Sequence, residues 1–326
     1  MNGEVFAYDK DGASLYSSLG KAVWKQAYTM SNPMLSRSNN YIVIYDREGN
    51  DICIFNSTGC IGNIYSNRSI MKAVVSSQGV VATIQEESTS GYNYIEYYNK
   101  DGSRLDIDIR TTLAESGYPL DIDISEDGTE LVISYIYVDS GVVNNQIIFY
   151  NFDIGKNDPS RIVGGFADYN SIMVPEVAFF GNTRAVAFAD SKIDFYSLEN
   201  ASQPVRSSSV ELGSQKIKSV FYNEDYLGYI SYSEENYNLC VYKPNGKKCF
   251  EKEIDFEATK AKISGDSVIL INDSSCQIYN VKGRLKYEGS FNDEGLGDGL
   301  LEDVTYISDK TYAFTRHGVT QKIKFK

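Results

Sequence analysis

Ile147-Ile148-Phe149-Tyr150-Asn151-Phe152-Asp153-Ile154-Gly155 is an apolar, aromatic run that ends in turn-forming residues and a glycine. β-Branched and aromatic side chains suit a pleated, half-buried strand. Asn and Asp bond their own backbone in turns, and Gly accepts positive φ without a steric penalty. The stretch therefore reads as one strand of a hairpin and its turn.

The same arrangement recurs along the sequence. Copies run VFAYDKDG (Val5 to Gly12), ICIFNSTG (Ile52 to Gly59), YIEYYNKDG (Tyr94 to Gly102), IDFYSLEN (Ile193 to Asn200), LCVYKPNG (Leu239 to Gly246) and CQIYNVKG (Cys276 to Gly283). Their last aromatics are Tyr8, Phe55, Tyr98, Tyr150, Tyr196, Tyr242 and Tyr279, spaced by 37 to 52 residues. A period in this range signals a solenoid or a propeller.

Working outward from the hairpins gives units of four strands. The first spans Met34–Tyr65, the second Met71–Ile109, the third Leu120–Phe166, the fourth Ile172–Leu212, the fifth Lys216–Ile254 and the sixth Lys260–Phe291. A seventh, Val304–Phe325, holds three strands, and the N-terminus carries a separate hairpin, Glu4–Tyr8 and Ser14–Ser18. The expectation is an all-β, seven-bladed β-propeller of four-stranded antiparallel blades, residues 1–326 forming one domain. N- and C-terminal strands would complete one blade between them, which removes sheet edges that invite aggregation. An eight-bladed ring is the alternative. Helical turns fit only at Thr111–Ser116 and Ser17–Ala27, neither with a sustained i, i+3, i+4 stripe.

Composition narrows the function classes. Of 326 residues, 42% are hydrophobic and 13% aromatic, enough for a large core, and the 26 tyrosines can bury a ring while keeping a hydroxyl wet. A net charge of −13, with no basic cluster beyond Lys247-Lys248, argues against a nucleic-acid partner. No apolar run approaches the 18 or more residues of a membrane span. The chain enters its first strand at Val5, which suits a cytoplasmic protein or one trimmed behind a membrane anchor. The five cysteines include Cys240 and Cys249, symmetric about the Pro244-Asn245 turn and so able to face each other across it; Cys53 and Cys60 flank another turn. The simplest expectation is five reduced strand residues. One histidine and no C-x-x-C leave no zinc set.

GEVFAYDKDGASLYS at the N-terminus, with similar copies at 92–109 and 275–290, resembles the repeat of quinoprotein-type propellers. The whole sequence resembles an uncharacterised family of membrane-tethered β-propeller domains from Gram-positive, clostridia-like bacteria. That resemblance implies an N-terminal anchor helix ahead of an extracellular propeller, and a location at the cell envelope. It implies no activity. The many tryptophans and the Cys-Cys pair of quinoprotein enzymes are missing here, as are the His and Trp-Asp of WD40 repeats.

The candidate chemistry is sparse. His317 is the only histidine and precedes Gly318 at a turn between strands, where a solvated side chain is the simple reading. Asp293, Glu294, Asp298, Glu302 and Asp303 crowd a Gly-rich stretch, Asn292–Asp303, but not at EF-hand spacing. Asp121-Ile-Asp123-Ile-Ser125-Glu-Asp127-Gly128 looks like a calcium loop, yet its alternating Ile residues mark a strand. The first strands of the units carry Lys72, Asp121, Asp123, Glu176, Lys216, Lys218, Lys260, Lys262 and Asp303. In a propeller these line the central channel, so they form either a polar ligand site or mutual ion pairs.

No catalytic residue, metal ligand, binding residue or cofactor is assigned from these patterns. The expectation is a non-catalytic, extracytoplasmic recognition or scaffold propeller, monomeric, that binds an envelope protein or polar ligand at one face. The alternative is a carbohydrate-binding or carbohydrate-active propeller.

Overall fold

Each recurring aromatic–Asn/Asp–Gly unit closes a tight hairpin. In the computed structural model Asn99 N–H donates to Ser103 O at 2.8 Å, Lys243 N–H to Lys247 O at 2.9 Å and Asn280 N–H to Arg284 O at 2.9 Å. Gly102, Gly246 and Gly283 supply the positive φ these turns need, at 85°, 82° and 81°. Asn280 Oδ1 also accepts the N–H groups of Lys282 and Arg284, so the side chain holds the turn as the sequence suggests. The structure describes residues 4–17, 19–114, 116–153, 160–233, 236–290, 300–308, 310–316 and 318–325.

Among the described residues, thirty strands make eight antiparallel sheets. Sheet I is β1 (Val5–Tyr8), β2 (Gly12–Tyr16) and β3 (Ala22–Ala27); sheet II is β4 (Pro33–Ser38), β5 (Tyr41–Asp46), β6 (Asp51–Asn56) and β7 (Gly59–Tyr65). Sheet III is β8 (Ser69–Val75), β9 (Val81–Glu87), β10 (Tyr92–Tyr98) and β11 (Arg104–Thr112); sheet IV is β12 (Tyr118–Ile124), β13 (Glu130–Asp139), β14 (Val142–Asn151) and β15 (Ile162–Asn170). Sheet V is β16 (Glu176–Phe180), β17 (Arg184–Phe188), β18 (Lys192–Ser197) and β19 (Val205–Glu211). Sheet VI is β20 (Lys216–Tyr222), β21 (Leu227–Ser233), β22 (Asn236–Tyr242) and β23 (Lys248–Ile254). Sheet VII is β24 (Lys260–Ser264), β25 (Ser267–Ile271), β26 (Ser275–Asn280) and β27 (Leu285–Ser290), and sheet VIII is β28 (Leu301–Ser308), β29 (Thr311–Arg316) and β30 (Val319–Lys324). Strands follow one another in each sheet as they do in sequence.

The expected count of seven is therefore corrected to eight. The stretch that changes it is Ala22–Ala27, read from sequence as a possible helical turn and folded here as β3. Leu15 pairs with Trp24 in the ladder, and the Trp24 indole stacks on Phe55 of sheet II with centroids 5.4 Å apart and planes 3° from parallel. With that third strand, the N-terminal hairpin is a sheet of its own. The two ends of the protein do not share a blade: β1–β3 form one three-stranded sheet and β28–β30 another. Thr111 and Thr112 likewise belong to β11 rather than to a helical turn.

The core lies between successive sheets. Val43, Tyr45 and Ile54 of sheet II pack on Ile70, Ala73 and Val81 of sheet III. Sheet III meets sheet IV through Ile84, Ile95, Tyr97, Ile122, Ile133 and Tyr135. Sheet IV meets sheet V through Ile147, Phe149, Val177, Ala185 and Tyr196. Covering both faces explains why middle strands such as β5 and β25 read as continuous apolar runs instead of alternating.

A second regularity concerns the outer pair of strands. In sheets II, III, IV, VI and VII the ladder of the third and fourth strands slips at the terminal aromatic, next to Phe55, Tyr98, Tyr150, Tyr242 and Tyr279. A bulge there adds twist and re-aims the side chains beside it. By its contacts the protein divides into two compact units, Met1–Ser207 and Ser208–Lys326. The site described next lies wholly within the first.

Candidate functional site

Where β7 leaves sheet II and the backbone steps to β8, it passes the outer end of β10 and β11. The backbones come close: a Cβ on Gly62 would lie 2.6 Å from Lys100 O, and one on Gly102 would collide with Asn63 O. Beside this seam opens a cavity of about 370 Å³, lined by Asn63, Tyr65, Ser66, Asn67, Arg68, Gln85, Glu96, Tyr98 and Arg104 among others. That volume is at the small end of ligand sites.

Glu96 forms the cavity floor and is 4% exposed. Its Oε1 faces two guanidiniums, Arg68 Nη1 at 2.9 Å and Arg104 Nη2 at 3.0 Å. Its Oε2 accepts from Tyr98 Oη at 2.6 Å and Gln85 Nε2 at 3.1 Å. Three of these contacts are hydrogen bonds, from Arg68, Tyr98 and Gln85, and the Arg104 contact is an ion pair. Gln85 is in turn fixed by Ser66, whose hydroxyl donates to Gln85 Oε1 at 2.7 Å. The Arg68 guanidinium lies 3.6 Å from the centre of the Tyr94 ring. Arg104 also reaches Asp108 Oδ2 at 3.0 Å, and Tyr65 stands at the rim with 73% of its surface exposed.

None of these residues stands out in the sequence as a site, although a signal exists. A polar residue occupies the place two before the terminal aromatic in Glu96/Tyr98, Asp194/Tyr196 and Gln277/Tyr279. In the second copy Asp194 is fully buried, with Tyr169 Oη donating at 2.5 Å and the cations of Lys192 and Arg206 in ion-pair contact, Nζ at 3.1 Å and Nε at 3.3 Å. In the third, Tyr279 Oη donates to Gln277 Oε1 at 2.7 Å, and Gln277 donates to Glu288 at 2.7 Å.

The charges expected on the first strands have a structural explanation. Asp121 Oδ2 accepts Val177 N–H at 2.9 Å and Asp123 Oδ2 accepts Phe179 N–H at 2.7 Å. These N–H groups lie on the free edge of β16, which has no ladder partner on that side. Ser36 Oγ does the same for Val75 N–H on β8, and Ser264 Oγ for Tyr306 N–H on β28. Side chains of one inner strand thus satisfy the edge of the next, which answers the demand of exposed ladder groups. Lys72 pairs with Asp121. Burial raises the Asp123 carboxyl to about 6 despite the Lys72 ammonium nearby. In the second unit Lys262 Nζ pairs with both oxygens of Asp303 at 2.7 Å and with Thr305, Lys260 approaches Asp303 to 3.4 Å, and Lys218 pairs with Glu257 at 2.8 Å. Lys216 is exposed on β20 and Glu176 opens β16.

Other sequence candidates fall out. Asp127 Oδ1 accepts from Ser125, Thr129 Oγ1 and Thr129 N–H, so it shapes a turn. His317, Asp293, Glu294 and Asp298 lie outside the described residues. Among the described residues no group of three His, Cys, Asp or Glu could hold a metal. All five cysteines are free. Cys240 pairs with Glu251 in the ladder, so it does not face Cys249, and burial pushes its thiol up to about 11.

The family model that covers residues 1–325 is that of a family of unknown function, DUF5711. The chain belongs to this family. No protein with a curated description matches it. Among solved structures, BamB from Moraxella catarrhalis is similar over 100% of this chain and 95% of its own, with a TM-score of 0.61 at 14% identity. Sqt1 of Chaetomium thermophilum, solved bound to the N-terminus of ribosomal protein L10, is similar over 99% of this chain and 92% of its own, at 0.59 and 10%. Hsv2p of Kluyveromyces lactis follows with 90% and 98% coverage, 0.55 and 12%. At such identities the likeness shows the fold, a β-propeller of four-stranded antiparallel blades. Among the described residues of this family member no helix is long and apolar enough to cross a membrane.

Proposed function

We propose that the protein is a non-catalytic recognition propeller, residues 1–326 acting as one domain, that binds a segment of a protein partner at the cell envelope, outside the cytoplasm. The observation that carries the non-catalytic part is the state of Glu96. A general acid or base must exchange a proton with substrate, but this carboxylate is engaged by hydrogen bonds from Arg68, Tyr98 and Gln85 and by the Arg104 ion pair. What the cavity offers a visitor is the remaining guanidinium donors, the Asn63 and Asn67 amides and the Tyr65 ring, which make a binding surface. A protein ligand is supported by the Sqt1 complex, where a propeller of similar fold holds the N-terminus of another protein. The envelope location is supported by the resemblance to membrane-tethered propellers.

A carbohydrate ligand is the second reading, favoured by the exposed Tyr65 beside amides and arginines. Glycosidase chemistry, which needs two working carboxylates about 5–10 Å apart, is not: Glu96 is held by Arg68, Tyr98 and Gln85, and its neighbour Asp108 is tied to Arg104 Nη2 at 3.0 Å. The test is to probe the purified protein with a peptide array, a glycan array and a panel of chromogenic glycosides. Peptide binding without turnover is the expected outcome. Hydrolysis of any glycoside would overturn the proposal.

A further inference from the structure

We propose that the Glu96 cavity is a receptor for a peptide carboxylate, with Arg104 as the residue that takes it. The inference rests on the reading of the protein as a peptide-binding module and names the chemistry its pocket selects. Two guanidiniums converge on one oxygen of one buried carboxylate. Glu96 balances one of these charges from below, and the other is shared with Asp108, an exposed carboxylate 3.0 Å from Arg104 Nη2. Each guanidinium has five N–H donors in a fixed fork, and the Arg68 Nε–H, already buried, finds no hydrogen-bond partner among the described residues. The two acceptor groups on the floor are by contrast engaged: Glu96 by three hydrogen bonds and the Arg104 ion pair, and Gln85 Oε1 by Ser66. A donor-rich pocket with one guanidinium shared with an exposed carboxylate selects an oxygen-rich anion that can take that carboxylate's place.

Carboxylate is favoured because the structure already shows Arg104 held by one. Asp108 Oδ2 sits 3.0 Å from Arg104 Nη2, and both side chains are about half exposed, so the pair is open to exchange. A ligand carboxylate can replace Asp108 on the fork without disturbing Glu96 below. A cavity of about 370 Å³ accommodates that group with one or two residues behind it, and the Asn67 amide and Tyr65 ring line their path outward. The carboxylate can come from the C-terminus of a polypeptide or from an Asp or Glu side group within one.

The experiment titrates the intact protein by NMR with four probes: an acetylated trialanine with a free C-terminus, its C-terminal amide, an amidated tripeptide with a central aspartate, and glucuronic acid. At least one peptide carboxylate should bind where the plain amide does not, and which one binds identifies the source. Arg104→Gln should weaken binding about tenfold or more, the scale of a hydrogen bond to a charged group. Asp108→Asn, which removes the internal competitor at an exposed position, should tighten it. Opposite signs from two neighbouring substitutions are not produced by a merely structural role, and thermal melts confirm that both variants fold. Equal binding of acid and amide, binding of glucuronate alone, no binding of any probe, or an Arg104→Gln protein that binds unchanged would overturn the proposal. Peptides found on the array separate the two readings. If they bind wild type and Arg104→Gln equally, the protein remains a peptide binder and this pocket is not its site.

Discussion

Glu96 and Asp194 hold the same place in the repeat, two residues before the terminal aromatic of the third strand, and each meets an arginine from the fourth strand, Arg104 or Arg206. One lies under an open cavity and the other is sealed. The difference comes from the preceding sheet. At Asp194 the fourth strand of sheet IV delivers Tyr169, fully buried, which bonds Asp194 and Tyr196 and sits beneath the Lys192 ammonium, 4.5 Å from its ring centre. At Glu96 the corresponding strand ends in Tyr65, which is 73% exposed, and the small Ser66 follows it. Ser66, 3% exposed and bonded to the Asn50 backbone, holds the inward place that Tyr169 takes opposite Asn145, so a ring there makes core and a serine leaves room for a ligand. A propeller can thus convert a packing position into a binding position by changing one side chain.

The harshest way to break the comparison is to hollow out the sealed copy. Tyr169→Ala should cost about 4 kcal/mol, the usual range for an aromatic truncated in a core, because it removes the ring and one of the donors to a fully buried carboxylate. Chemical denaturation would measure it. A loss below about 1 kcal/mol would show that Asp194 does not depend on that ring, and the contrast between the two copies would fail.

Gly102→Ala attacks the open copy at its seam. The residue has φ of 85°, and an added Cβ would strike Asn63 O across the gap to β7. Strain at positive φ and a backbone clash together should cost roughly 2–3 kcal/mol. The substitution should also push β7 from the hairpin turn, so a crystal structure of the variant should show a widened cavity. Unchanged stability would mean that the two backbones are not in contact.

Much of the fold was legible because local chemistry and tertiary structure agree at the hairpins. Pro244-Asn245-Gly246 and Lys100-Asp101-Gly102 turn where their residues say they must. The number of sheets was not legible, since Ala22–Ala27 has no alternating pattern and owes its strand to Trp24 stacking on a ring of the next sheet. The Asp121-Ile-Asp123 alternation showed a strand with one polar face but not its use, since the N–H groups it satisfies belong to Val177 and Phe179, over fifty residues away. The Glu96 site was hidden for the same reason. Arg68, Gln85, Glu96 and Arg104 come from four segments, and only the folded sheet brings them to one cavity.

A third buried carboxylate sharpens what saturation means. Glu130 has one side-chain donor, Asn151 Nδ2 at 3.1 Å, and its Oε2 has no hydrogen-bond partner among the described residues. Burial raises its carboxyl from the usual 4.5 to about 7. The folded protein therefore holds a proton that the unfolded one releases across that window, and this group's contribution to stability falls as pH rises from about 4.5 to 7. Glu130→Gln should remove the dependence, gaining on the order of 1 kcal/mol over wild type at about pH 8 and nothing at about pH 4. Melting temperatures measured across that range, with equal slopes for both proteins, would refute the assignment.

The smallest effect falls on the open copy itself. Arg104 is half exposed and meets Glu96 only as an ion pair, so its loss leaves the buried charge with all three of its hydrogen-bond donors, Arg68, Tyr98 and Gln85. Exposed ion pairs are worth about 0–1 kcal/mol, and Arg104→Gln should stay within that bound. A residue that matters for a fold and one that matters for a ligand separate at this point, because the sealed copy spends its interactions on stability and the open one keeps donors in reserve. A loss of about 3 kcal/mol from Arg104→Gln, the cost of stripping a buried pair, would place Arg104 in the same structural role as its counterpart and close the difference between Glu96 and Asp194.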